Sequence, residues 1–170
     1  NIIYRASGAG THLWHDASHV TTRGNTVVGC GTGIVVGGGD FYHSAGPNDH
    51  THTANNIVYD NGQGILEQGA TGANISYRNN LVYQNAGGDW KLSAGRRHSG
   101  TVSAAPLFAD YSRALSTPDF RLQPGSPAIG KGLPPDAGDS VALRPRRQID
   151  IGALPYTDSE PAGLPSPGEQ

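Results

Sequence analysis

Cysteine is almost missing from this chain of 170 residues: Cys30 stands alone, so no intramolecular disulfide can form, and the thiol is expected as a small buried apolar group. That absence neither demands nor excludes export, because large repetitive β-proteins can be stable without bridges. Charge is also scarce. Only 15% of residues are charged, 12 basic against 14 acidic, and the net charge of −2 leaves no nucleic-acid tract and no polybasic membrane patch. No apolar run approaches the roughly 18 residues of a membrane span, and no charged-then-apolar leader begins the chain. There is no initiating Met, and the opening "NIIYRASG" already reads as the middle of a repeat, which points to a mature product, a separate domain or a cleavage fragment.

What is present is glycine and, late in the chain, proline. Twenty-five Gly and 12 Pro describe a turn-rich, β-leaning chain rather than a helix bundle, and the length is that of one domain. Taking the Asn before each apolar triplet as an anchor gives Asn1 (IIY), Asn25 (TVV), Asn56 (IVY) and Asn80 (LVY), spaced by 24, 31 and 24 residues. After each anchor comes a second short segment, "GTHLW", "GIVV", "GILE" and "DWKL"; before the later anchors comes a third, "VTTRGN", "THTANN" and "ISYRNN".

Three short strands per repeat cannot pair as hairpins without breaking the apolar alternation. They can stack, each strand parallel to its equivalent a rung above at about 4.8 Å, with inward residues forming apolar columns. Asn suits the corners, since it tolerates the left-handed conformation and its amide can bond along a ladder. The expected class is therefore all-β, a parallel solenoid of about four rungs over residues 1–105 with an inserted loop at 37–54. Residues 106–156, where the prolines concentrate, are expected to form an irregular capping segment of the same domain, and 157–170 a flexible tail.

The arrangement resembles the right-handed parallel β-helix proteins of the pectate-lyase-like superfamily. The stretch "APLFADYSRALSTPDFRLQPGSPAIGKG" followed by "RRQIDIGALPY" is similar to the closing segment of many secreted bacterial members. The resemblance implies a right-handed coil, a secreted or periplasmic location and a polysaccharide partner. It leaves function open, because the superfamily hosts lyases, hydrolases, epimerases and adhesive shafts. Members carry more rungs and an N-terminal helical plug, so an oligomeric partner or a missing N-terminal portion is expected to cover the open end.

Aligning the second segments places Thr11/Leu13, Ile34/Val36, Ile65/Glu67 and Trp90/Leu92 inward, and His12/Trp14, Val35/Gly37, Leu66/Gln68 and Lys91/Ser93 outward. Glu67 in an apolar column needs a partner, with Arg78 or a backbone corner as candidates, or else serves as a catalytic carboxylate. The insertion "GGGDFYHSAGPNDHTHTA" offers Asp40, Asn48 and Asp49 as oxygen ligands for calcium, or His50 and His52 for a transition metal; it can equally be a polar loop packed on aromatics. Near "HLWHDASH", Trp14 is a candidate sugar-stacking platform with His15 beside it, or a lid over the core edge. Lys91 and Arg96 supply cations. For a uronic-acid polymer, β-elimination needs the carboxylate neutralised, by calcium or a guanidinium, and a base at C5, for which Lys91 or a histidine such as His12 is the candidate. The rival readings are a hydrolase using Glu67 with Asp40 or Asp49, and a non-catalytic glycan-binding or spacer module.

Overall fold

The computed structural model describes residues 1–38, 47–93, 95–134 and 149–157. Asp40, His43 and the tail from 158 onward lie outside these residues. The described chain is all-β, with no helix and hence none long and apolar enough to cross a membrane.

Twelve strands fall into three parallel sheets, each four strands deep. The first sheet holds β1 (Ile2–Tyr4), β4 (Thr26–Val28), β7 (Ile57–Tyr59) and β10 (Leu81–Tyr83). β2 (Ala9–Leu13), β5 (Thr32–Val36), β8 (Gln63–Glu67) and β11 (Trp90–Lys91) make the second, and β3 (Thr21–Arg23), β6 (His52–Ala54), β9 (Ser76–Arg78) and β12 (His98–Ser99) the third. Every third strand returns to the same sheet, a solenoid-like winding. The register follows the repeat spacing, with Ile3, Val27, Val58 and Val82 in one column and Thr11, Ile34, Ile65 and Trp90 in another.

The inward residues of these columns form one core, in which Val27, Ile34, Val36, Val58, Ile65 and Val82 are fully buried. Trp90 packs against that core at the last rung, with the His98 ring stacked on it at 4.1 Å.

The Asn-Asn pairs explain themselves in this geometry. The first Asn of each pair, Asn55 or Asn79, turns the corner at φ 56° or 49°, and Gly24 at φ 62° does the same for the earlier rung. The second Asn is buried in a ladder: Asn1 Nδ2 donates to Asn25 Oδ1, Asn25 Nδ2 to Asn56 Oδ1 and Asn56 Nδ2 to Asn80 Oδ1, at 3.1, 2.9 and 2.9 Å. A parallel ladder, not read from the sequence, joins Asn61 to Asn85 and ends on Asp89, whose Oδ1 accepts from Asn85 Nδ2 at 2.8 Å. Cys30 occupies the equivalent place one rung earlier, is buried, and its backbone N–H donates to Asn61 Oδ1.

The C-terminal part closes a flank of the coil. An antiparallel pair, β13 (Phe108–Asp110) and β14 (Asp119–Leu122), packs Phe108, Phe120 and Leu122, together with Ala128 and Ile151, on the outward residues Val28, Ile57 and Leu81 of the first sheet. Asn55 clasps this roof, its Oδ1 accepting from Leu133 N and its Nδ2 donating to Leu133 O, while Arg23 also donates to Leu133 O. Asp60, at another left-handed corner, accepts from the Tyr111 hydroxyl at 2.6 Å and from Arg113 at 2.9 and 2.7 Å.

Candidate functional site

The outer face of the second sheet carries most of the candidates. Its register puts His12 beside Val35, Val35 beside Leu66 and Leu66 beside Lys91, in the predicted column. His12 and Lys91 are three strand spacings apart, about 14 Å, so a single sugar unit cannot touch both. Lys91 is exposed, and no carboxylate pairs with it among the described residues.

Trp14 follows β2 and is 46% exposed, the most exposed of three large apolar side chains that reach solvent among the described residues. Two histidines hold it edge-on: His12 with ring centroids 4.3 Å apart at 70°, and His15 at 4.8 Å and 85°. His15 bends the chain there with φ 50°. His12 Nε2 lies 2.9 Å from the Gly37 carbonyl oxygen and 3.4 Å from the Gln68 amide. Gly37 has φ 93°, and a Cβ there would run into the Gln68 backbone carbonyl, so only glycine fits against Gln68.

Glu67 faces inward as the alternation predicts, with its side chain fully shielded. Its ionic partner is Arg96 rather than Arg78, which stands exposed on the third sheet. Arg96 Nε sits 2.6 Å from Oε1, close but off the hydrogen-bond axis; Thr71 Oγ1 and the Ser93 N–H donate to Oε2, each at 3.2 Å. The Tyr77 hydroxyl faces the same carboxylate without an aligned bond. Burial pushes Glu67 toward protonation, yet the surrounding polar groups of Ser93, Tyr77 and Arg96 outweigh it and hold the carboxyl below its usual value. Burial and then the Glu67 charge push the Tyr77 phenol up. Arg96, expected on the substrate side, is spent on this cluster and on the Gly72 carbonyl at 2.6 Å. Glu67 and Arg96 therefore pin the last rung from within the coil.

The proposed metal ligands that are described are spread along corners. Asp49 accepts from the Asn74 N–H at 2.8 Å and from Asn74 Nδ2 at 3.0 Å, and the Asn74 side chain, above all, holds its carboxyl below the usual range. His50 stacks on His19 with centroids 4.5 Å apart and planes 5° apart; its Nδ1 is 3.4 Å from Asp49 Oδ2. His52 lies on β6 with Nδ1 2.8 Å from Ser76 Oγ. Asn48 is fully buried, its Nδ2 donating to the Leu13 carbonyl. Among the described residues no three His, Cys, Asp or Glu side chains converge as a metal cage, and Asp40 lies outside them.

Gln68 is the residue that sequence reasoning left without a role. Its signal was its place, outward and one rung beyond Gly37 in the Trp14 column. No protein-family model matches the chain, and comparison with curated proteins and with solved structures returned no match.

Proposed function

We propose that the protein is a right-handed parallel β-helix that engages polysaccharide, with the outer face of the second sheet as its glycan platform. The observation that carries this reading is Trp14, a solvent-facing indole with His12 and His15 edge-on against it and Gln68 next to His12. A pyranose offers an apolar face to such a ring and hydroxyls to the polar groups around it. The location outside the cytoplasm and the right-handed coil come with the resemblance of the closing segment.

A second reading, a lyase acting on uronic-acid polymers, is favoured by Lys91. It is an exposed ammonium on the same face with no acidic partner among the described residues, placed to neutralise a uronate or, once deprotonated, to take the C5 proton. The hydrolase reading gains nothing from Glu67, which is engaged inside the coil.

Calorimetric titration with short oligomers of galacturonate and of mannuronate tests the platform, and Trp14→Ala is expected to weaken binding roughly tenfold without lowering the unfolding midpoint. Binding unchanged in that variant would refute the assignment. The same oligomers followed for ultraviolet absorbance of unsaturated products, with and without calcium, test the lyase reading; no signal in either condition removes it.

A further inference from the structure

We infer that His12 and Gln68 form a pair of fixed hydrogen-bond polarity that reads a hydroxyl of the sugar on Trp14, with His12 Nδ1 as acceptor and the Gln68 amide as donor. This rests on the carbohydrate reading above.

The argument starts at Gly37. Its carbonyl oxygen can only accept, so His12 Nε2, 2.9 Å away, carries a proton and donates it. A neutral imidazole protonated at Nε2 has its lone pair on Nδ1. No hydrogen bond to His12 Nδ1 forms among the described residues.

Gln68 completes the pattern. Gln68 Nε2 stands 3.4 Å from the same His12 Nε2, where an NH2 group sets donor against donor unless the carboxamide is turned over. The amide oxygen therefore faces His12, which turns the NH2 group outward; oxygen and nitrogen of a carboxamide exchange places by a half-turn. Gly37, lacking a side chain, lets the Gln68 backbone approach and so brings Gln68 within reach of His12. Beside an exposed indole the surface thus presents one lone pair and two N–H groups. A hydroxyl, which both donates and accepts, matches it. A carboxylate does not, because its own lone pairs would face Nδ1. The sugar's charge then belongs elsewhere on the face, toward Lys91, three strand spacings from His12.

The test uses the full chain and two probes: a galacturonate oligomer and the same oligomer with its carboxyls reduced to neutral alcohols. His12→Gln keeps an N–H for Gly37 and removes the Nδ1 acceptor; Gln68→Glu keeps the oxygen toward His12 and removes the outward donor. His12→Gln is expected to weaken both probes by the same factor, roughly fivefold. Gln68→Glu should weaken the neutral probe by a similar factor, and Lys91→Ala should penalise the acidic probe alone. The inference is overturned if His12→Gln affects only the acidic probe, which would place the carboxylate at His12, or if both pair variants bind like the unmodified chain while Trp14→Ala does not. If the unmodified chain binds neither probe, or Trp14→Ala binds as well as it does, the carbohydrate reading itself falls and the pair with it.

Discussion

The first and second sheets are built from the same repeat and feed the same core, yet their outer faces have opposite fates. The first turns Tyr4, Val28, Tyr59 and Tyr83 outward, with Ile57 and Leu81 beside them, and is roofed by the C-terminal segment. The second turns out His12, Val35, Leu66 and Lys91, with Trp14 and Gln68 just past the strand ends, and the described part of the C-terminal segment does not pack on it, although Val35 is buried. Winding fixes only the inward letters; the outward ones decide which wall becomes a second core and which stays available to a ligand. Aromatic and branched residues on one wall bury apolar surface twice over, at roughly 25 cal/mol per Å2 on each side. The outward column of the other wall is mixed, with Val35 and Leu66 between His12 and Lys91, and its polar ends gain nothing from a roof.

The sharpest way to break this comparison is at Ile57, fully buried between coil and roof. Ile57→Ala is expected to cost about 3–4 kcal/mol in chemical denaturation, whereas Leu66→Ala, half-buried on the second sheet's outer face, should cost less than half of that. Equal costs would mean that the roof seals nothing. A smaller effect is expected at the clasp. Asn55→Gly keeps the left-handed corner but removes both bonds to Leu133, and about 1–2 kcal/mol should be lost; hydrogen exchange should rise in residues 106–134 before it rises in the second sheet.

The smallest effect is the pin at Asp60. Burial would raise its pKa, but Arg113 and the Tyr111 hydroxyl hold the carboxyl below the usual value. A group depressed on folding adds stability above its unfolded pKa, about 3.9, and that contribution is lost as the pH falls through the lower folded value. Asp60→Asn should therefore cost up to about 1 kcal/mol at neutral pH, the scale of a partly exposed pair, and the gap from the unmodified chain should close in acid. A gap that stays constant with pH would show that the charge at Asp60 contributes nothing.

Much of the coil was legible because a parallel stack converts sequence spacing directly into neighbours. The anchors Asn25, Asn56 and Asn80 are vertical partners, and the inward and outward letters of the second segments fall as the alternation predicts. Glu67 was recognisable as an exception, but its partner was not. Arg78 follows the inward Tyr77 and so must point out, whereas Arg96 comes from a turn beyond the last regular rung, where periodicity no longer places residues. The roof was visible as a change of composition at Pro106. Which wall it covers depends on shape matching between Phe108, Phe120 and the tyrosine column, and no spacing encodes that. Gln68 escaped notice because a lone outward glutamine carries no signal until the glycine and histidine next to it are in position.

Along the two asparagine columns Asn1, Asn25, Asn56 and Asn61 each donate to the Asn of the next rung, while Asn85 donates to Asp89 and Asn80 to the Thr53 carbonyl. Such a file of dipoles works like a zip with directional teeth: a whole winding cut out or added leaves each tooth facing a compatible one, while a reversed or fractional one sets oxygen against oxygen. Lengthening and shortening in complete turns is thus a built-in freedom of this scaffold, and the carboxylate of Asp89 serves as the stop at one end of the track.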